Sequence, residues 1–99
     1  MVSQTELEAS VRKTVLLYNM LNSPKVMAKI VIVFPEQITI GFSGSFCYEC
    51  GGALAYIEEF ARDFKVFNNL FELSIGQTRQ TSPRSFEVDY KVKARQQKA

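Results

Sequence analysis

The apolar residues change their spacing along the chain, and that change decides what it can fold into. Leu7, Val11, Thr14, Tyr18 and Leu21 recur at intervals of four and three, which makes one stripe on an α-helix. Val15 and Leu17 widen the stripe towards a core-facing helix. From Val26 the interval drops to two: Val26, Ala28, Ile30, Ile32 and Phe34 alternate with Met27, Lys29, Val31 and Val33, and β-branched residues dominate. Asn22-Ser23-Pro24 separates the two patterns, because proline cannot continue a helical ladder and restricts the residue before it. Upstream, Ser3-Gln4-Thr5-Glu6 fits a capping box that satisfies the free amides of a first turn.

The same sequence of periods then runs a second time. Pro35-Glu36 turns the first strand into a return strand with Ile38, Ile40 and Phe42 on one face. Residues 41–52, GFSGSFCYECGG, hold four of the five glycines and read as a loop. Ala53 to Phe64 is a helix with Ala53, Ile57, Phe60, Ala61 and Phe64 inward. Leu70 to Arg79 is a third strand with Phe71, Leu73 and Ile75 inward, and Thr81-Ser82-Pro83 turns the chain. Ser85 to Lys93 alternates cleanly: Phe86, Val88, Tyr90 and Val92 face in, while Glu87, Asp89, Lys91 and Lys93 face out. The order is αββαββ. Hairpins without parallel crossovers predict a two-layer α+β fold, a four-stranded antiparallel sheet with both helices on one face. At 99 residues the chain is one domain, expected over 1–93 and followed by a polar basic tail, 94–99.

Assigning faces leaves strand one with Met27, Val31 and Val33 on the side away from the helices. Three such side chains on one sheet face form a patch that a soluble monomer seldom leaves in water. A homodimer joined through Met27, Val31 and Val33, or through an open sheet edge, is the expected outcome. The alternative is that the loop at 43–52 or the tail folds over the patch.

Chemistry is constrained chiefly by what is missing. There is no histidine, so Ser–His–Asp and Cys–His catalysis and two-His metal sites are excluded. Cys47 and Cys50 form a C-x-x-C pair, half of a zinc ligand set. A disulfide or two structural thiols explains it most simply. Redox chemistry, or a metal shared across a dimer, are the alternatives. The glycines before the second helix match neither nucleotide-binding fingerprint. The carboxylates read as solvated or cross-strand paired, so no catalytic residue, metal, cofactor or small-molecule substrate is assigned, and the chain is expected not to be an enzyme.

Net charge is +2, but residues 79–99 carry six basic groups against two acidic ones. Lys91, Lys93, Arg95 and Lys98 are therefore the candidate nucleic-acid contacts, with Arg79 and Arg84 flanking the turn. A solvated basic edge that discourages strand aggregation explains them more simply. No run of apolar residues is long enough for a membrane span, and the N-terminus lacks the order of a secretory signal.

The αββαββ order resembles roadblock-type dimerisation modules, and it also occurs in LAGLIDADG homing endonucleases, whose acidic helix-end motif is absent here. The chain as a whole, particularly AKIVIVFPEQITIGFSGSFCYECGG, resembles small uncharacterised proteins of filamentous viruses infecting thermoacidophilic archaea. That resemblance implies a thermostable protein of unassigned function in the host cytoplasm or the virion, where a Cys47–Cys50 disulfide is tolerated.

Overall fold

Six elements follow the expected order in the computed structural model: α1 (Gln4–Asn22), β1 (Val26–Val33), β2 (Gln37–Gly44), α2 (Gly52–Phe67), β3 (Phe71–Ser82) and β4 (Ser85–Ala94). The structure describes residues 4–44 and 52–95. The strands form one antiparallel sheet in the order β1-β2-β4-β3. Both hairpins place their strands side by side, and β2 meets β4 at the centre, so β1 and β3 are the borders.

The two helices lie on the same face of this sheet. Leu7, Val11 and Tyr18 of α1, and Ala53, Ile57, Phe60 and Phe64 of α2, close over Val26, Ala28, Ile38, Ile40, Phe42, Phe86, Val88 and Tyr90. Aromatic rings fill the middle. Phe60 meets Tyr18 edge-on at 5.5 Å and lies stacked on Tyr90 at 5.5 Å, while Phe42 stacks on Phe86 at 5.1 Å. A buried tyrosine needs a partner for its hydroxyl. Both find one on α2: Tyr18 donates to the carbonyl of Tyr56 (3.3 Å) and Tyr90 to that of Ile57 (2.8 Å). Burial raises both phenol pKa values above their ordinary range. These two bonds fix the register of α2 against α1 and the sheet.

Side chains of α1 also serve the border of the sheet. Asn19 accepts from the Ala28 amide (2.7 Å) and donates to the Ala28 carbonyl (2.9 Å), which is what a neighbouring strand would do. Gln4 donates to the Val33 carbonyl at 3.0 Å. β3 pairs with β4 only, and no strand among the described residues lies along its other side.

Four expectations need correction. Leu21 continues the α1 stripe in sequence but is 72% exposed, and Asn22 instead turns inward to bond Glu59 of α2. Ile75 is paired with Tyr90 and so lies on the helix side, yet it stands on the border strand beyond helical cover and is exposed. The second turn is shorter than expected: β3 runs to Ser82, which pairs with Ser85 across Pro83 and Arg84. At the C-terminus, Ala94 is still in β4 and the Arg95 amide bonds the Leu70 carbonyl (2.9 Å), so the domain extends through Arg95.

Candidate association surface on the open sheet face

The side of the sheet away from the helices is where the candidate residues gather, and a bulge in β1 decides which of them reach it. Up to Ile30 the strand alternates as expected, with Met27 and Lys29 opposite Ser43 and Gly41. The register then slips: Ile30 pairs with Ile40, but Ile32 pairs with Thr39 and Val33 with Ile38. One extra residue in one strand reverses the faces beyond it. Val33 therefore turns to the helices and packs against the core, which corrects its assignment to the outward patch. Ile32 takes its place. Met27, Val31 and Ile32 are 48%, 38% and 43% exposed, and no described helix covers them. Phe34 lies just past the end of the strand and is exposed as well.

The neighbouring strand presents only small residues on this side: Thr39, Gly41 and Ser43. A methyl group at Gly41 would stand 3.3 Å from Cγ and Cε of Lys29, so the lysine stem lies against bare backbone there. The result is a ridge along β1 beside a trough along β2. At its floor is a recess of about 220 Å³ lined by Met27, Lys29, Gly41, Ser43, Ser85 and Glu87. On the far bank of the trough stands a charge cluster. Arg79 of β3 grips Asp89 of β4 with two nitrogens (3.0 and 3.2 Å) and reaches Glu87 at 3.0 Å, and Thr39 donates to Asp89 at 2.7 Å. The Arg79 and Thr39 hydrogen bonds hold the Asp89 carboxyl below its ordinary pKa. Lys29 forms no ion pair among the described residues.

Among the described residues the basic groups of the C-terminal end do not form one continuous stripe. Arg79 is neutralised by the two carboxylates. Arg95 is occupied elsewhere: its guanidinium donates to the carbonyls of Lys65 (3.1 Å) and Asn68 (2.7 Å), closing the C-terminal end of α2, where a cation also suits the helix dipole. Arg95 thus caps α2 through one guanidinium nitrogen, a structural role that its candidacy as a phosphate contact did not anticipate. Lys91 and Lys93 stay exposed on the outward face, opposite Ser74 and Glu72 of β3. Lys98, Cys47 and Cys50 lie outside the described residues, as does most of the glycine-rich loop.

Sequence reasoning missed two polar residues that matter, Asn19 and Asn68. Asn68 sits at the end of α2, accepts from the amides of Leu70 (2.9 Å) and Phe71 (2.7 Å), and donates to the Phe64 carbonyl. An asparagine just past the last apolar position of a helix is a recognisable capping signal. Asn19 carries no such signal, since its neighbours Tyr18 and Met20 are apolar.

One group strains against the fold. Asp63 of α2 has a buried Oδ2 without a hydrogen-bond partner, and burial followed by the nearby Glu59 raises its pKa. A carboxyl whose pKa is higher folded than unfolded stabilises the fold below the unfolded value and loses that contribution as pH rises through the folded one. Asp63→Asn should therefore raise the melting temperature at pH 7 by ~2 °C or more, on a scale of about 4–8 °C per kcal/mol for a domain of this size. The gain should vanish near pH 3, and calorimetry at the two pH values checks both parts.

Among the described residues no group of three or more acidic, cysteine or histidine side chains is placed to hold a metal ion, and no helix is long and apolar enough to cross a membrane. No protein family, curated protein or solved structure matches the chain.

Proposed function

We propose that this chain is a non-enzymatic interaction module that works as a homodimer, joined through the helix-free face of its sheet. The observation that carries the reading is the trio Met27, Val31 and Ile32, half-exposed together on a face that no described helix covers. Fully burying such a side chain is worth roughly 1.5–3 kcal/mol, so covering the exposed part of each is worth about 1 kcal/mol, and a symmetric interface does so twice. A chain without histidine, whose Glu87 and Asp89 are tied to Arg79, is suited to holding a partner and poorly equipped for proton transfer. In the setting its viral likeness implies, the module would act in the host cytoplasm or the virion.

Light scattering across a concentration series tests this. The protein should be dimeric at micromolar concentration. Val31→Lys or Ile32→Lys should weaken association ~100-fold or more, because each places two ammonium groups in an apolar contact. Association unaffected by both substitutions would overturn the assignment. The second reading, nucleic-acid binding, rests on Lys91 and Lys93, which remain without ion-pair partners among the described residues. It predicts a mobility shift at low salt that disappears towards physiological salt and is absent in the Lys91→Gln, Lys93→Gln double variant.

A further inference from the structure

We infer that β3 is a second contact for another copy of this chain: the runs Phe71–Ile75 of two protomers pair antiparallel about a twofold axis through Leu73, joining the two sheets into one. The contact lies at the sheet border, apart from the helix-free face, and stands or falls independently of it. The register shows which backbone groups are free there. The Arg95 amide bonds the Leu70 carbonyl and the Val92 amide bonds that of Glu36, so odd-numbered residues of β4 serve β3 and even-numbered ones serve the β2 side. Opposite Lys91 and Lys93 stand Ser74 and Glu72. Leu73 and Ile75, between and beyond them, therefore aim amide and carbonyl away from the sheet, and no described strand takes those groups. The Phe71 amide points the same way and is already held by Asn68 at 2.7 Å. Such a row of donors and acceptors is a template for another strand.

The strand and the helix above it both fit a copy of themselves. With the axis at Leu73, the two Leu73 residues exchange a pair of bonds, and each Ile75 amide meets the carbonyl of the partner's Phe71. Ile75, exposed on the helix side, gains an apolar neighbour. Pairing ends there, because the β3 register slips after Ile75, and a methyl group at Gly76 would stand 2.6 Å from the Asp89 carbonyl oxygen, which fixes the irregularity in place. α2 and β3 leave the same turn. At ~1.5 Å per helical residue and ~3.3 Å per strand residue, Ala61 stands about level with Leu73. Two helices ~10 Å apart over four strands at ~4.8 Å place α2 about 2 Å inside β3. Joining two copies at β3 then sets their α2 helices ~9 Å apart and antiparallel, an ordinary packing distance. The Tyr56 carbonyl and the Glu59 side chain meet α1. The opposite flank, towards β3, therefore carries Glu58, Ala61 and Lys65, and Lys65 lines a cleft there with Glu72 of β3. Ala61 is small enough for the crossing point, and Glu58 of each helix comes opposite Lys65 of the other. Neither has an ion pair in its own protomer among the described residues.

The test uses the Val31→Lys protein, in which the helix-free face is disabled, so that remaining association belongs to the border. In sedimentation up to millimolar concentration this protein should still self-associate. Adding Ile75→Pro should weaken that association about tenfold or more, because it removes two donors between protomers. The β3–β4 ladder does not use the Ile75 amide, and a border strand tolerates proline at such a position. Glu58→Lys or Lys65→Glu, each in the same background, should weaken association about tenfold by setting like charges together twice. An equal mixture of these two proteins should recover it, since both contacts of the heterodimer then join opposite charges. Circular dichroism of every variant should match that of Val31→Lys. A Val31→Lys protein that stays monomeric throughout overturns self-pairing at β3 and leaves this border to a strand of another chain. Association indifferent to Ile75→Pro and to both charge changes overturns it as well. Neither result touches the helix-free face, which is judged by the wild type against Val31→Lys alone.

Discussion

Phe60→Ala should lower stability by about 3–5 kcal/mol, the usual cost of emptying a large aromatic site that cannot collapse. Phe60 is fully buried and touches three other rings, those of Tyr18, Phe42 and Tyr90, from both the helices and the sheet. It is the point at which α1, α2, β2 and β4 meet, so the neighbours that would have to move into the void are themselves held. Tyr18 and Tyr90 are tied by their hydroxyls to carbonyls of α2, which further limits relaxation. For a domain of about 100 residues the loss corresponds to a fall of ~15–30 °C in melting temperature, enough to unfold a marginal protein at room temperature. Denaturant titration gives the number. A loss below ~1 kcal/mol would show that the aromatic centre is not packed as described.

Asn68→Ala is the second large effect, and it acts on a single side chain with three bonds. The substitution removes the acceptor for the amides of Leu70 and Phe71 and the donor to the Phe64 carbonyl, at a site only 8% exposed. Each buried backbone group left without a partner costs about 1–3 kcal/mol, so a total of ~2–4 kcal/mol is expected after relaxation and entry of water. Asn68→Asp should recover part of this, because both amides keep an acceptor. Arg95→Ala should cost less, since of the two carbonyls it serves that of Lys65 is exposed and that of Asn68 only part-buried. Chemical denaturation of the three variants ranks them, and an Asn68→Ala protein as stable as wild type would contradict the capping role.

How far the sequence revealed the structure depends on whether an element has one apolar face or two. The α1 stripe Leu7, Val11, Thr14 and Tyr18 is buried as its period requires, and Phe86, Val88 and Tyr90 face the helices as the strict alternation of β4 requires. β1 offers no such contrast. Either phase of Ile30-Val31-Ile32-Val33 is apolar, so nothing in the pattern marks a bulge. The slip that sends Val33 inward and Ile32 outward is settled by pairing with β2. What Arg79 and Arg95 do within the fold is hidden for a related reason. Composition counts Arg79 and Arg95 as charge, whereas the fold uses one as a clasp for Glu87 and Asp89 and the other as a helix cap. The trough, too, is invisible until strands are placed: Thr39, Gly41 and Ser43 are ordinary residues, and only the flanking bulk of β1 and the cluster on β4 give them a shape.

The grip of Asn19 and Gln4 on the backbone of β1 has a consequence for assembly gone wrong. A ribbon that accretes new strands must offer an unoccupied rim at both ends, and here the amide groups of the first helix already take both polar groups of Ala28 and the carbonyl of Val33. Edge-to-edge accretion between molecules is thereby disfavoured along β1 and left to β3.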